Sequence, residues 1–517
     1  MNGIDYFERG WSAGRDTVCL IDGVTREQMT YDEVRALTFR IGNALKGRGY
    51  NTGGHGAILA LNEIGAFVTY LSLFRLGMAP ITINSRNSVE ENASLLDAMD
   101  CEILFYTSAF EQAMDTVRRF APRIKEYVCI DSAAGSAPSL DQWIDGYGAD
   151  EFEIPHDPNR LLLIQPTGGT TGRPKGVMVA HRGMETHVAN MMAMEPCDYR
   201  PIYLAAAPLT HAAGYLMQTV LSQNGTGILL SKPDKQLILS LVEEFRVTHT
   251  FLPPTLIYEL LDHPDIGKFD YSSMRCFLYG ASPMAPEKVK RAIEVFGASM
   301  CQAYGQAEAS YPNTFLSTKD HVEAVRHAPA RLASCGRATP FCMVAIMKDG
   351  QLQPDGEIGE LVIRTTGIML GYYKDAQATA EVAQNGWHLT GDVGYRDADG
   401  FFYIVDRKKD MIITGGFNVF SIEVETVLLS HPAVQNCAVV GAPDPKWGER
   451  ILAEVELAQG ASITEAELIA YCKEKIGSLK APKQIVIANE LPRSAVGKIL
   501  KREVRAKYWA DKTRMVN

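Results

Sequence analysis

Helix-like and strand-like patterns of apolar and polar positions alternate through the first four hundred residues. Thr30-Tyr31-Asp32-Glu33 places a hydroxyl three residues ahead of a carboxylate, a capping box that predicts a helix through about Leu45. Gly56-Ala57-Ile58-Leu59-Ala60 predicts a strand, about Ile64 to Leu76 a helix, and Pro80-Ile81-Thr82-Ile83 a second strand. Glu102 to Tyr106 and Tyr127 to Ile130 predict further buried strands. Such alternation points to an α/β fold of parallel sheets flanked by helices.

The pattern changes near residue 400. Gly400-Phe401-Phe402-Tyr403-Ile404-Val405 predicts a strand, followed by the charge run Asp406-Arg407-Lys408-Lys409-Asp410. Met411-Ile412-Ile413 and Thr414-Gly415-Gly416 come next. A charged, glycine-flanked link between apolar strands predicts a domain joint, with residues 1–406 as a large N-terminal domain and 407–517 as a small α+β domain. Taken alone, the charge run reads better as a solvated loop. Strands are expected over Val434 to Val440 and Ile451 to Leu457, and helices over Glu465 to Ile476 and around Lys501.

Bulk properties narrow the classes. A chain of 517 residues is too long for one ordinary domain, and 46% hydrophobic with 22% charged residues is a globular composition. The net charge of −10 argues against non-specific nucleic-acid binding. Ten cysteines lie scattered, without a Cys-x-x-Cys pair, which favours reduced thiols and a cytoplasmic location. The start, Met1 to Glu8, lacks a basic region and a long apolar run, so no secretory signal is expected. The apolar stretch from Ala66 to Ala79 is interrupted by Arg75 and too short to span a bilayer.

One stretch carries chemistry by its residue types alone. Thr167-Gly168-Gly169-Thr170-Thr171-Gly172-Arg173-Pro174-Lys175-Gly176 sits between the predicted strands Leu161 to Ile164 and Val177 to Val179. Glycines let backbone N–H groups close around phosphate oxygens, threonine hydroxyls donate, and Lys175 supplies a mobile point charge. A plain turn is the competing reading. A Walker A loop ends Gly-Lys-Ser/Thr, whereas Lys175 lies between Pro174 and Gly176, which disfavours a P-loop NTPase.

The full string resembles the signature loop of the adenylate-forming superfamily of acyl-CoA synthetases, peptide-synthetase adenylation domains and beetle luciferases. Further segments follow in that superfamily's order. His211-Ala212-Ala213-Gly214 resembles an HxxG-like turn. Tyr279-Gly280-Ala281-Ser282-Pro283 resembles the lining of the adenine pocket. Tyr304-Gly305-Gln306-Ala307-Glu308 resembles a Tyr-Gly-x-Thr-Glu motif, with Gln302 and Ala303 leading into it. Trp387 to Asp392 resembles a ribose-binding motif, Asp406 to Asp410 with Gly415-Gly416 a hinge, and Pro492 to Ile499 a catalytic-lysine motif. The resemblance covers about Leu162 to Lys498.

The resemblance implies stacked, helix-flanked sheets plus a mobile C-terminal domain that swings about Lys409. It implies ATP, Mg²⁺ and coenzyme A as cofactors. Thr167, Gly168, Gly169, Thr170, Thr171, Gly172 and Lys175 would grip the β- and γ-phosphates. Gly280, Ala281, Ser282, Gln302, Ala303, Tyr304 and Gly305 would line the adenylate pocket, with Tyr304 beside adenine. Asp392 would accept the ribose hydroxyls, with Arg407 as a second ribose-side donor, and Glu308 would hold Mg²⁺. Lys498 would bridge the attacking carboxylate and the α-phosphate, offsetting their repulsion. Gly415 and Gly416 would line the passage for the pantetheine arm. His211, Tyr215, Tyr279, Gly280, Ala281 and Gln306 would face the acyl group, with His211 gating or stacking on it.

The chain departs from the pattern at Ala307, where the family has threonine. The missing hydroxyl removes one hydrogen bond to the α-phosphate, worth about 1.5–3 kcal/mol. The reaction implied is acid plus ATP to acyl-AMP and pyrophosphate, then acyl transfer to coenzyme A. No arginine or lysine stands in the acyl segments and no aspartate is placed for an α-amino group, so an apolar fatty, alicyclic or aryl acid is expected. Loading a carrier protein is the nearest alternative; luciferase-type oxidation and a nucleotide-binding scaffold without catalysis are more remote. Homodimers are common in such families, though these residues reveal no interface.

Overall fold

The computed structural model describes residues 1–132, 135, 137–167, 175–493 and 499–509. Thr30 forms the expected capping box with Glu33 and starts the helix Tyr31–Gly47. The next helix is Ile64–Leu76, ended by Gly77 in the left-handed region. Its apolar residues lie all round the helix, and so it is buried all round.

Two large sheets build the N-terminal part. In one, nine strands run in the order Arg337–Ala338, Thr314–Leu316, Met300–Tyr304, Cys276–Gly280, His249–Leu252, Ile202–Ala205, Thr226–Leu229, Val18–Asp22 and Gln28–Thr30. Its centre is parallel and its two edges are antiparallel. In the other, seven strands run Gly371–Tyr372, Lys175–Ala180, Leu161–Thr167, Ala79–Ile81, His55–Leu59, Ile103–Tyr106 and Glu126–Cys129.

A common core containing Tyr203, Leu278, Phe105 and Val177 joins both sheets to helices Asp5–Ala13, Ile64–Leu76, His181–Met194 and Ala212–Leu221. Separate cores cover the outer faces. One packs helices Lys235–Glu244, Pro254–Leu261 and Pro286–Phe296 on the nine-stranded sheet; the other packs Val89–Ala98 and Met114–Phe120 on the seven-stranded sheet. Helix and sheet layers therefore alternate, as the patterning implied.

The expectation of parallel pairing fails at the strands that matter most. Leu161–Thr167 and Lys175–Ala180 pair antiparallel, with Thr167 opposite Lys175 and Pro166 opposite Gly176. The glycine-rich stretch therefore links adjacent strands of one sheet, and residues 168–174 lie outside the described residues.

An antiparallel sheet follows, in the order Gln351–Leu352, Cys342–Lys348, Gly359–Thr365, Trp387–Arg396 and Ala383–Gln384, with Phe402–Arg407 on the second face of Trp387–Arg396's pairing. The strand predicted to end at Val405 continues through Arg407, and a boundary at 406/407 falls one residue inside it. The next sheet begins at Ile412–Thr414. It joins Phe417–Val419, Gly448–Leu457, Val434–Asp444 and Gln484–Ile487, with helices Ser421–Leu429 and Glu465–Lys480 around its own core. The molecule is thus a large α/β N-terminal domain and a small α+β C-terminal one.

Candidate active site

Asp392 lies near the centre of the strand Trp387–Arg396 and is 7% exposed. Backbone pairing sets it opposite Arg407, whose Nε lies 3.2 Å from Asp392 Oδ1. The Tyr304 hydroxyl donates to the other oxygen, Oδ2, at 2.8 Å. A buried carboxylate needs such partners. Each oxygen keeps a second lone pair for a ligand hydroxyl. Tyr304, expected to flank adenine, therefore also orients the Asp392 carboxylate, a contact its sequence position did not reveal.

Tyr304 ends the strand Met300–Tyr304, and the chain then turns into the short 3₁₀ segment Ala307–Ala309. Gly305 permits that turn, because a Cβ there would lie 2.4 Å from Cβ of Tyr311. Glu308 follows, 9% exposed, with burial pushing its carboxyl above the ordinary value. The Tyr372 hydroxyl donates to Glu308 Oε1 at 2.9 Å. Lys175 Nζ stands 4.8 Å from the centre of the same Tyr372 ring. Thr167 Oγ1 reaches the Lys175 carbonyl at 3.4 Å.

Gly280 ends the neighbouring strand, paired with Ala303 as Tyr279 is with Gln302. A Cβ on Gly280 would lie 2.5 Å from the Ala303 carbonyl oxygen, so only glycine lets the strand ends close up. Ala281 takes a positive φ of 66° and turns the chain toward the half-buried Ser282. Tyr279 does not face this site. It is fully buried, and its hydroxyl meets His321 Nε2 at 2.9 Å and donates to Gln302 Oε1 at 3.3 Å. The expectation that its side chain lines the acyl pocket is corrected: strand alternation turns it into the outer core.

His211 sits at the N-terminus of the helix Ala212–Leu221, its Nδ1 2.9 Å from Thr210 Oγ1. Burial pulls its pKa down to about 4, which leaves the ring neutral. That helix is tied to the Glu308 segment by Tyr311, whose hydroxyl donates to the Ala212 carbonyl at 2.6 Å. Tyr215, on the same helix, is buried against Tyr311 and His187.

The strands containing Tyr304, Asp392 and Arg407 thus meet near Glu308, Gly280 ends the strand beside that of Tyr304, and Tyr372 extends the cluster to Lys175. Lys409 lies in the turn after Arg407, its pKa lowered by burial and then by Arg407's charge. Gly415 and Gly416, with φ of 58° and 83°, form a two-residue hairpin turn between Ile412–Thr414 and Phe417–Val419. Gly168, Gly169, Thr170, Thr171, Gly172 and Lys498 lie outside the described residues. Ala307 packs its methyl against the main core.

The described residues contain no group of three or more His, Cys, Asp or Glu able to hold a metal ion. A single buried carboxylate nevertheless suits Mg²⁺, which takes one or two carboxylates and otherwise phosphates and water. Nor, among the described residues, is any helix long and apolar enough to cross a membrane.

Comparison with known proteins agrees with this geometry. The profile of the AMP-binding enzyme family matches residues 7–373, and that of the AMP-binding enzyme C-terminal domain matches 423–498. A medium/long-chain-fatty-acid–CoA ligase of Mycobacterium tuberculosis is 41% identical over 69% of this chain; that match spans 63% of the ligase's own length. A feruloyl-CoA synthase of Amycolatopsis is 33% identical over 93% of this chain and 94% of its own. The amide bond synthetase McbA of Marinactinospora thermotolerans superposes with a TM-score of 0.88 at 29% identity, covering 98% of this chain and all of that one. With the Asp392 carboxylate, the Glu308 segment and the two-domain fold in place, the chain belongs to the AMP-binding, adenylate-forming enzyme family.

Proposed function

We propose that this protein is an ATP-dependent, AMP-forming acid–CoA ligase for an apolar carboxylic acid. The observation that carries the reading is the gathering of Asp392, Tyr304 and Arg407 beside Glu308, a ribose site next to a phosphate–metal site. In the first step a carboxylate oxygen of the acid attacks the α-phosphorus. The bond to the β-bridging oxygen breaks, and pyrophosphate leaves with that electron pair. In the second step the thiol sulfur of coenzyme A attacks the acyl carbon, AMP departs with the carbon–oxygen pair, and the thiol proton passes to solvent.

The chain's residues divide this work. Asp392 and Arg407 hold the ribose, and Lys175 with the Thr167 to Gly172 stretch takes the departing phosphates. Glu308 would hold Mg²⁺, which supplies charge neutralisation when bound. Lys498 would serve the carboxylate and α-phosphate, and Gly415 with Gly416 the thiol passage. Neutral His211 and buried Tyr215 suit an acyl group without charge. The ten free cysteines accord with a reducing cytoplasmic setting.

The test is a panel of fatty, alicyclic and aryl acids incubated with ATP, Mg²⁺ and coenzyme A, with thioester and AMP measured together. Stoichiometric acyl-CoA and AMP are expected. Acid-dependent pyrophosphate exchange without thioester on any acid would discard the CoA-ligase reading. The similarity to an amide bond synthetase favours one second acceptor, an amine, and adding amines in place of coenzyme A tests it directly.

A further inference from the structure

Tyr372 belongs to none of the segments that carry the family resemblance, yet it touches both halves of the phosphate site. It lies in the two-residue strand Gly371–Tyr372, paired antiparallel with Lys175–Ala180 so that Tyr372 stands opposite Val177. Its hydroxyl donates to Glu308 Oε1 at 2.9 Å, and its ring lies 4.8 Å from Lys175 Nζ. The residue is buried and its backbone is tied as well. The Tyr372 N–H donates to Thr379 Oγ1 at 2.9 Å, and the whole residue is 8% exposed.

The flanking backbone links the same two elements. Met369 N–H donates to the Glu308 carbonyl at 2.8 Å, Leu370 N–H to the Met178 carbonyl at 2.8 Å, and Tyr373 N–H to the Gly176 carbonyl at 2.8 Å. Residues 369–373 therefore staple the Glu308 segment to the strand that begins with Lys175.

We propose that Tyr372 is a positioning residue: its hydroxyl aims the Glu308 carboxylate at the metal, and its ring steadies the Lys175 ammonium over the leaving phosphates. This rests on the assignment of Glu308 to Mg²⁺ and Lys175 to phosphate made above. The physical need is plain. Glutamate and lysine are long, rotatable side chains with much rotamer entropy to lose. A hydrogen bond to one carboxylate oxygen leaves Oε2 and the spare lone pairs for a cation. An aromatic face attracts an ammonium without neutralising it, so the charge stays available to pyrophosphate. A single tyrosine thus sets the spacing of one carboxylate and one cation around the same polyphosphate.

Two substitutions separate the two contacts. Tyr372→Phe keeps the ring and loses the hydroxyl; Tyr372→Leu loses both. In Tyr372→Phe the Mg²⁺ concentration for half-maximal pyrophosphate release should rise about tenfold, with KM for the acid unchanged. By calorimetry, binding of ATP with Mg²⁺ should weaken by a similar factor, while binding of ATP in EDTA stays as in wild type. Tyr372→Leu should weaken ATP binding in EDTA as well.

Glu308→Gln is the reference. If it leaves the Mg²⁺ dependence unchanged, the assignment of Glu308 itself fails and the proposal falls with it. If Glu308→Gln shifts that dependence but a folded Tyr372→Phe does not, Tyr372 merely satisfies a buried carboxylate and the proposal alone is overturned. The decision rests on Tyr372→Phe, which keeps the packed ring, so misfolding of the leucine variant does not affect it.

Discussion

On the proposed reading, Asp392 is the residue on which nucleotide binding turns. Its two oxygens are held by Tyr304 and by Arg407, so removing its charge strips Arg407 of its partner and the ribose of its acceptor. Asp392→Ala should raise KM for ATP at least about tenfold, since the part-buried Tyr304 hydroxyl and the half-exposed Arg407 both lose their acceptor. Initial rates against ATP at saturating acid check this; an unchanged KM would move the ribose elsewhere. His211 makes a contrasting case. Burial lowers its pKa to about 4, below the ordinary 6.5, so the ring is neutral throughout pH 5.5–8 and gains a proton only below that window. The acid limb of kcat/KM for wild type and for His211→Gln should therefore superpose. An inflection near 6.5 that vanishes in the variant would show that His211 titrates during turnover.

Among the elements, the Gly415–Gly416 hairpin makes the sharpest demand on residue type. Both turn residues have positive φ, and a Cβ on Gly415 would lie 2.6 Å from Cε3 of Trp447. Gly415→Val combines a β-branched residue with a left-handed backbone and a clash. Thioester formation from supplied acyl-AMP should fall about tenfold or more, while acyl-AMP formation stays within about twofold of wild type. Equal losses in both would mean that the hairpin serves general stability. The Thr30 to Glu33 capping box was legible in the sequence because it signals its helix locally, whereas Gly415 and Gly416 were read as part of a domain joint and only the structure shows their hairpin. The antiparallel pairing of Leu161–Thr167 with Lys175–Ala180 was not legible, because apolar runs look alike in parallel and antiparallel strands. The bond from Tyr372 to Glu308 was also hidden: it spans 64 residues and depends on the register of a two-residue strand. Motif resemblance named candidate residues that recur in one local string. It gave no signal for the tertiary contact of Tyr372 with Glu308, and it put Tyr279 on the wrong side of its strand.

On the scale of the whole molecule, the joint between the two domains is crossed by a buried polar chain. Asp406 is 1% exposed and belongs to the strand Phe402–Arg407, on the N-terminal sheet. Ser421, at the start of the C-terminal helix Ser421–Leu429, donates its hydroxyl to Asp406 Oδ1 at 2.9 Å. That hydroxyl in turn accepts from Lys501 Nζ at 2.7 Å, and Lys501 lies 2.8 Å from Glu425 Oε1. Lys501 is three residues beyond Lys498, and on the near side Arg493 pairs with the buried Glu456. Arg493 and Lys501 are thus both tied to the C-terminal domain, and that domain is clasped by Asp406 across the Lys409 turn. On the proposed reading, a rotation about Lys409 would act on this contact between Asp406 and Ser421. If Lys498 serves only adenylation, Lys498→Ala should lower acyl-AMP formation at least about a hundredfold, as loss of a charge-stabilising group does. Thioester formation from supplied acyl-AMP should stay within about threefold of wild type. Rapid-quench measurement of the two half-reactions decides it. A parallel collapse of both would mean that Lys498 stays at the reacting centre throughout, and that the clasp at Asp406 need never open during turnover.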